Sequence, residues 1–276
     1  MSTPVIGFVG FGNMGTPRRC QTSPLKCHVV VTMLIDDKAA REVHGELLKG
    51  VEGKGAGKET VFVDCSTLYP DTSVELEKIA QAVPGATYLS APVFGPPPAA
   101  KAAKLIFLLS GSSTHRSLVS PILVPSMGSK IIDCGEDVKK ATSFKLCGNA
   151  MVLGAMELVA EGLTLAEKTG VGKEEFFEWV KVVFPAAPFT GYGGKMLNND
   201  FSAGFSVRGG LKDAKHVTML AAEHGVPIPA VDGARQHLSA SLANGGGDLD
   251  WSSLIAGTRL AAGLAPFSDG PSPATL

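Results

Sequence analysis

The sequence predicts an α/β domain built on a parallel sheet, followed by an all-helical domain. In the first half, short apolar runs rich in β-branched residues alternate with helical stretches, whereas the second half contains helical patterns only. Continuous apolar strands separated by helices are typical of a parallel sheet that is covered on both faces. We therefore assign the α/β domain to residues 1–135, the helical domain to residues 136–264 and a loose tail to residues 265–276.

Six runs in the first half are predicted strands because each is short, apolar and bounded by turn residues. They are VIGFVG (5–10), VVVTMLI (29–35), VFVDCST (61–67), ATYLSAPV (86–93), KLIFLLSG (104–111) and KIIDCG (130–135). Segments 71–83 and 115–127 have helical patterns, and prolines in the second indicate a break.

The second half opens with one long amphipathic pattern over residues 138–170, which ends at a glycine as helices often do. Four further helical patterns follow it. They cover residues 173–184, 211–225, 229–245 and 252–263.

Composition argues against several classes of protein. The formal net charge is −1 without a long Lys or Arg run, which does not suit nucleic-acid binding. No continuous apolar run reaches about 18 residues, the length of a membrane span, and no signal peptide is evident, so we expect a cytoplasmic protein without a membrane partner. Five widely spaced cysteines and six scattered histidines predict neither a disulfide framework nor a metal site.

A glycine motif follows the first predicted strand. Gly10, Gly12 and Gly15 form G-x-G-x-x-G, in which the glycines permit a tight turn, close approach to a pyrophosphate and close helix packing. The motif alone is weakly specific because the chain has 33 glycines. Its position after a strand favours a dinucleotide loop over an ordinary turn.

Seven segments in order resemble the β-hydroxyacid dehydrogenase family, which includes 3-hydroxyisobutyrate dehydrogenase and the related 6-phosphogluconate dehydrogenase. They are GFVGFGNMG (7–15), VVVTMLIDD (29–37), VFVDCSTLYPDTS (61–73), APVFGPPPAAKAAKL (91–105), FKLCGN (144–149), LNNDFSAGFSVRGGLKDAKH (197–216) and GGGDLDWSSLI (245–255). The resemblance implies a Rossmann-type domain followed by an all-helical domain. It also implies reversible hydride transfer between NAD or NADP and a β-hydroxyacid or related small carbonyl compound.

The resemblance places the catalytic lysine at Lys145 and a substrate-orienting asparagine at Asn149. The two residues are four apart in a helical pattern, which puts their side chains on one face. The reaction needs a group that takes the hydroxyl proton as hydride leaves, and a lysine can do so where its surroundings lower its pKa. Without the resemblance, a solvated lysine and a surface asparagine would be the preferred interpretation.

Contacts to the cofactor and the substrate also follow from the resemblance. Those to the cofactor are Gly10, Gly12, Asn13, Met14, Gly15, Leu34, Ile35, Thr67 and Lys212. Ser66 is expected to touch the substrate, although Ser66 and Thr67 could instead cap the following helix, as could Asp71. For Lys212, a surface ion pair with Asp213 is an alternative of equal weight to contact with the cofactor.

The substrate loop departs from the family pattern. Where the family has Ser-Gly-Gly, this chain has Phe94, Gly95 and Pro96, so a hydroxyl and a backbone N–H are lost. Ile35 also stands where the family usually has proline, and Ser90 where an acidic residue is common. We assign Phe94 and Gly95 to the substrate site and expect a bulkier or less polar substrate, with an imine or carbonyl reductase as a variant.

The first half of the Rossmann domain is incomplete at residues 16–28. TPRRCQTSPLKCH has two prolines and no helical period, so it cannot supply the helix and second strand of a βαβ unit. No residue then selects NAD over NADP. Asp36 and Asp37 lie at the right distance for a ribose carboxylate, but they follow a strand that matches a later one in the family, so we do not give them that role.

We therefore predict an NAD(P)-dependent oxidoreductase, impaired by the missing segment and assembled as a homo-oligomer through its helical domain. The alternative is a non-catalytic dimerisation or binding module derived from the same family. EGKGAGKET (52–60) looks like a phosphate loop, but its first glycine is missing and the strand follows it, so we reject an NTPase.

Overall fold

The computed structural model describes residues 5–10, 27–51, 59–202 and 204–267. The chain forms two compact units, residues 1–146 and 147–276. The expected cofactor contacts at Gly12, Asn13, Met14 and Gly15 lie outside the described residues, as does the incomplete segment except for Cys27 and His28. The domain limits taken from the sequence stay a prediction.

The described part of the first unit contains seven strands and four complete helices. The strands are β1 (Ile6–Val9), β2 (Val29–Thr32), β3 (Thr60–Asp64), β4 (Ala86–Ser90), β5 (Val93–Phe94), β6 (Leu105–Leu109) and β7 (Gly128–Asp133). The helices are α1 (Asp37–Lys49), α2 (Pro70–Gln81), α3 (Pro97–Lys101) and α4 (Ser113–Leu123).

Strands β1, β2, β3 and β4 pair in that order, and every pairing is parallel. Strand β6 pairs parallel with β7 and antiparallel with β5, and a bridge between Ser90 and Ser110 joins the ends of β4 and β6. The predicted strand 86–93 is thus two strands. It breaks before Pro92, which lacks the N–H that a continued strand would use.

Strands β2 and β3 are buried on both faces, which is why their central residues are consecutive apolar ones. Alternate residues contribute to two separate clusters. One cluster includes Val31 and Val63, and the other includes Val30 and Phe62. The fold class predicted from the sequence, a parallel α/β domain followed by a helical one, is confirmed.

Helix α1 was not predicted from the sequence. The structure shows what Asp36 and Asp37 do at its start. Asp36 Oδ1 accepts the Ala39 N–H at 2.8 Å as the N-cap of α1. Asp37 Oδ1 accepts the Tyr69 N–H at 2.9 Å and the Thr72 hydroxyl at 2.6 Å, which ties α1 to α2. Both carboxylates therefore have structural roles.

The long helix α5 (Val138–Thr169) begins in the first unit and continues into the second. By length and composition alone it could cross a membrane, with a mean hydropathy of 1.3 in its most apolar window. Half of that window is buried inside the protein, and core helices of soluble proteins pass the same test.

The described second unit is otherwise helical, with a single strand-like bridge between Ser206 and Asp250. Its helices are α6 (Lys173–Val183), α7 (Ala187–Leu197), α8 (Val207–Glu223), α9 (Pro229–Ser241) and α10 (Ile255–Ala261). A π-helical turn at Leu242–Gly246 ends the predicted helix 229–245 early, where Gly245 has φ +87°. A 3₁₀ turn at Trp251–Leu254 precedes α10.

Candidate active site

The first part of the candidate site is the edge of the sheet formed by the carboxyl ends of β1, β2 and β3. Gly10 follows β1 with φ +133°, and a Cβ there would overlap the Met33 carbonyl oxygen beyond β2. Only glycine fits this close approach. The expected contacts Gly10, Leu34 and Thr67 lie at this edge, where parallel α/β sheets bind their ligands.

Ser66 connects two of these strand ends. Its buried hydroxyl accepts the Leu34 N–H at 2.8 Å, and its own N–H donates to Asp64 Oδ1 at 2.9 Å. The hydroxyl expected to touch the substrate is thus engaged by the backbone of the neighbouring loop. Ile35, the next residue in that loop, is 76% exposed.

Asp64 lies beneath this edge in a buried polar network that no sequence motif indicated. Its Oδ2 accepts the Tyr88 hydroxyl at 3.3 Å and lies 3.6 Å from His44 Nε2. Burial alone would raise the pKa of Asp64, but the hydrogen bond and charge of His44, with hydrogen bonds from Ser66, lower it below its ordinary value. The carboxylate therefore stays ionised where it holds Ser66.

The start of α2 bears on the alternative that Ser66, Thr67 or Asp71 caps this helix. The N-cap of α2 is Tyr69, which makes no side-chain capping bond, and Pro70 opens the helix. None of the three residues caps it. Asp71 instead forms an ion pair with Lys139 at 2.7 Å.

Lys145 projects from the first turns of α5 and meets Phe94. The lysine side chain is 9% exposed, and its Nζ lies 4.0 Å from the centroid of the Phe94 ring. Phe94 is the last residue of β5 and pairs with Ile106. The expected substrate loop is therefore the end of a strand, followed by Gly95 and by α3, which the prolines open.

Three further residues singled out from the sequence lie in the second unit. Asn149 is buried on α5, and its Nδ2 donates to Asp213 Oδ2 on α8 at 2.7 Å. Lys212 Nζ lies 3.0 Å from Asp213 Oδ1. The ion pair between Lys212 and Asp213, which the sequence suggested as an alternative, is thus present. Its carboxylate is buried and does not lie at the surface. No pattern in the sequence indicated the hydrogen bond between Asp213 and Asn149.

The residues present suit the nicotinamide half of a dinucleotide. Gly10 removes the Cβ that would obstruct the sheet edge, and the loops after β2 and β3 are held together by Ser66. The adenosine half has less support. Among the described strands β1 pairs only with β2, and the carboxylates of Asp36 and Asp37 already accept hydrogen bonds from backbone N–H groups at the starts of α1 and α2. The described residues contain no group of His, Cys, Asp and Glu that could hold a metal ion.

Comparisons with known proteins place both units in one family. Residues 18–135 match the NAD binding domain of 6-phosphogluconate dehydrogenase. Residues 140–257 match the family described as NAD-binding of NADP-dependent 3-hydroxyisobutyrate dehydrogenase. The two matches follow one another along the chain in the order that the resemblance implied.

Individual relatives cover most of the chain. An uncharacterized oxidoreductase of Bacillus subtilis is 32% identical over 244 residues, covering 87% of this chain and 82% of the relative. The mitochondrial 3-hydroxyisobutyrate dehydrogenase of Drosophila melanogaster is 29% identical over 296 positions, covering 90% and 87%. Because this alignment is longer than the 276-residue chain, the Drosophila protein contains residues that this chain lacks.

A solved structure agrees in fold. The 3-hydroxyisobutyrate dehydrogenase of Mycobacterium tuberculosis, determined with L-serine, has a TM-score of 0.76 and 25% identity, covering 92% of this chain and 98% of that one. Tandem family matches, close relatives and this shared fold lead to one conclusion. The chain belongs to the β-hydroxyacid dehydrogenase family of NAD(P)-dependent oxidoreductases.

Proposed function

We propose that this protein is a soluble, cytoplasmic enzyme that oxidises a small β-hydroxyacid, or reduces the corresponding carbonyl compound, with NAD or NADP. When bound, the nicotinamide takes up or supplies the hydride. The observation that carries this proposal is Lys145, a cationic side chain only 9% exposed at a position that matches the family's lysine. A buried lysine without a function is uncommon, because burying a charge is costly.

Lys145 Nζ takes the proton of the substrate hydroxyl during oxidation and returns it during reduction. Asn149 is one helical turn further along α5 and orients the substrate through its amide. Asp213 fixes that amide by accepting a hydrogen bond from its nitrogen. The low exposure of both side chains limits the access of water to the proton that is transferred.

The cofactor would contact Gly10, Leu34, Ile35, Thr67 and Lys212, as the family resemblance implies. In support, Gly10 and the loops after β2 and β3 lie at the carboxyl edge of the parallel strands, where such sheets bind ligands. The hydrogen bond between Ser66 and Leu34 keeps two of these loops at a fixed spacing.

The proposed substrate class is supported by Phe94 and by the related structure that was determined with L-serine, itself a β-hydroxyacid. An aromatic ring beside Lys145 favours a hydrocarbon substituent next to the reacting carbon. We therefore expect branched or longer β-hydroxyacids to be better substrates than L-serine. An imine substrate belongs in the same screen.

A fluorescence titration with NADH and NADPH, followed by turnover assays on this panel, tests the proposal. We expect saturable binding of one nucleotide, and we expect K145A to lower turnover by about 10²–10⁴-fold with cofactor affinity unchanged. K140A removes an exposed lysine from the same helix and serves as the matched control. Equal turnover in K145A and K140A would show that Lys145 does not transfer the proton.

A homo-oligomer is supported by one exposed face of α5. Met151, Leu158 and Leu165 are 77%, 61% and 64% exposed and recur every seven residues. Two copies of such a helix can bury the same apolar stripe against one another in a twofold dimer. Light scattering should give a dimer mass for the wild type and a monomer mass for L158E, with E161Q as the control.

The second candidate function, a non-catalytic module, rests on the residues that relatives possess and this chain lacks. A folded oligomer that binds neither NADH nor NADPH would favour it. Binding of either nucleotide would exclude it and show that the short segment 16–28 still completes a working cofactor site.

A further inference from the structure

We propose that Phe94 is a positioning residue for the proton-transferring lysine, holding the Lys145 ammonium against the face of its ring. This inference rests on the proposed function. Lys145 Nζ lies 4.0 Å from the Phe94 ring centroid, within the roughly 6 Å over which a ring attracts a cation. Because the lysine is almost fully buried, this attraction is less weakened by water than it would be at a surface.

The ring is carried by a backbone that has little freedom to move. Phe94 pairs with Ile106 across the β5–β6 ladder. Gly95 has φ +133°, and a Cβ at that position would lie 2.8 Å from Leu105 Cδ2 and 3.1 Å from Ala99 Cβ. The strand pairing and this close packing hold the ring in place, so it provides a fixed support for a long, flexible side chain.

The contact has a direct consequence for the reaction. A lysine has four rotatable side-chain bonds, and proton transfer requires its nitrogen within about 3 Å of the substrate oxygen. In reduction, the ring holds the Lys145 ammonium in one position before it gives its proton to the substrate, and in oxidation it holds the same ammonium as the neutral amine takes up the hydroxyl proton. Removal of the ring should therefore slow the proton-transfer step more than it weakens substrate binding.

Three variants distinguish the effect of the aromatic face on Lys145 from the effect of apolar packing alone. F94L keeps an apolar side chain but loses the ring, whereas F94Y and F94W keep an aromatic face. We expect F94L to lower kcat by about 2- to 30-fold with a small change in KM, the range corresponding to a cation–π contact. The solvent deuterium isotope effect on kcat should rise in F94L. F94Y or F94W should restore kcat to within about twofold of the wild type.

The inference is wrong if F94L keeps the wild-type kcat, or if both aromatic variants lose as much activity as F94L while melting at the wild-type temperature. A readout independent of turnover is the proton NMR spectrum of the Lys145 ε-methylene group, assigned with K145R. Ring current should shift these protons upfield in the wild type and not in F94L. An inactive protein that shows the shift would overturn the proposed function alone, and an active protein without the shift would overturn this inference alone.

Discussion

Asn149 and Asp213 are 64 residues apart in the chain, yet Asn149 Nδ2 donates a hydrogen bond to Asp213 Oδ2 at 2.7 Å. Both side chains are buried, one on α5 and the other on α8. The carboxylate accepts only from an N–H, so it determines which end of the asparagine amide faces it. The amide oxygen of Asn149 is thereby left for another partner.

This relationship predicts the effect of D213A. The substitution leaves a buried amide without its acceptor, so we expect the free energy of unfolding to fall by about 1–3 kcal/mol. We also expect turnover to fall because the asparagine amide is free to rotate. Urea denaturation and steady-state kinetics measure the two effects.

D213N is the informative control for D213A, because its side-chain oxygen can still accept from Asn149 while the charge beside Lys212 is lost. A D213N protein as damaged as D213A would mean that the ion pair, and not the hydrogen bond, is the important contact. Wild-type stability in D213A would contradict both explanations.

A second prediction concerns S66A. The Leu34 N–H loses its buried acceptor, and the loop after β2 is no longer fixed to the end of β3. We expect a loss of about 1–2 kcal/mol in the free energy of unfolding and weaker NAD(P)H binding in the fluorescence titration. S117A removes a hydroxyl from the exposed face of α4 and should change neither quantity. Unchanged nucleotide affinity in S66A would show that the position of the loop after β2 does not matter for cofactor binding.

A third prediction is the pH dependence contributed by His237. The hydrogen bond to Glu157, with the charges of Glu157 and Glu161, raises the pKa of His237 above 6.5 despite its partial burial. A histidine whose pKa is raised by folding stabilises the folded state fully below its unfolded pKa. That stabilisation is lost as the pH rises through the folded pKa.

H237Q should therefore be less stable than the wild type at about pH 6, and the difference in unfolding free energy should shrink toward about pH 8. Urea denaturation across this range measures it. H224Q replaces an exposed histidine at the end of α8 and is the matched control for the substitution itself. A stability difference between the wild type and H237Q that grows with pH would contradict a raised pKa of His237 beside Glu157.

Much of the fold was accessible from local pattern. The buried strands were predicted because a continuous apolar run has few alternatives, and the long helix because its apolar period persists from Val138 to Thr169. Helix α7 was missed because Gly191, Gly193 and Gly194 lower its helical propensity. Packing explains one of them, since a Cβ on Gly193 would lie 2.5 Å from the Phe177 ring.

The candidate site was accessible only in part. Lys145 and Asn149 were selected from the sequence because both fall in one short segment that resembles the family's. Phe94 was recognised as a departure, but its contact with Lys145 joins residues from β5 and α5 and has no local signature. The same holds for the buried network of Asp64 and His44.

By itself, the sequence determined the fold class, most of the strands, the long helix, the family, and the identity of the residues proposed for catalysis. These depend on periodicity and on short motifs, which are properties of neighbouring residues. Tertiary structure alone decided that the Lys145 ammonium faces the Phe94 ring, that Asn149 is held by Asp213, and that Asp37 joins α1 to the start of α2. Those contacts depend on how the chain brings distant segments within a few ångströms, and local patterns do not encode that path.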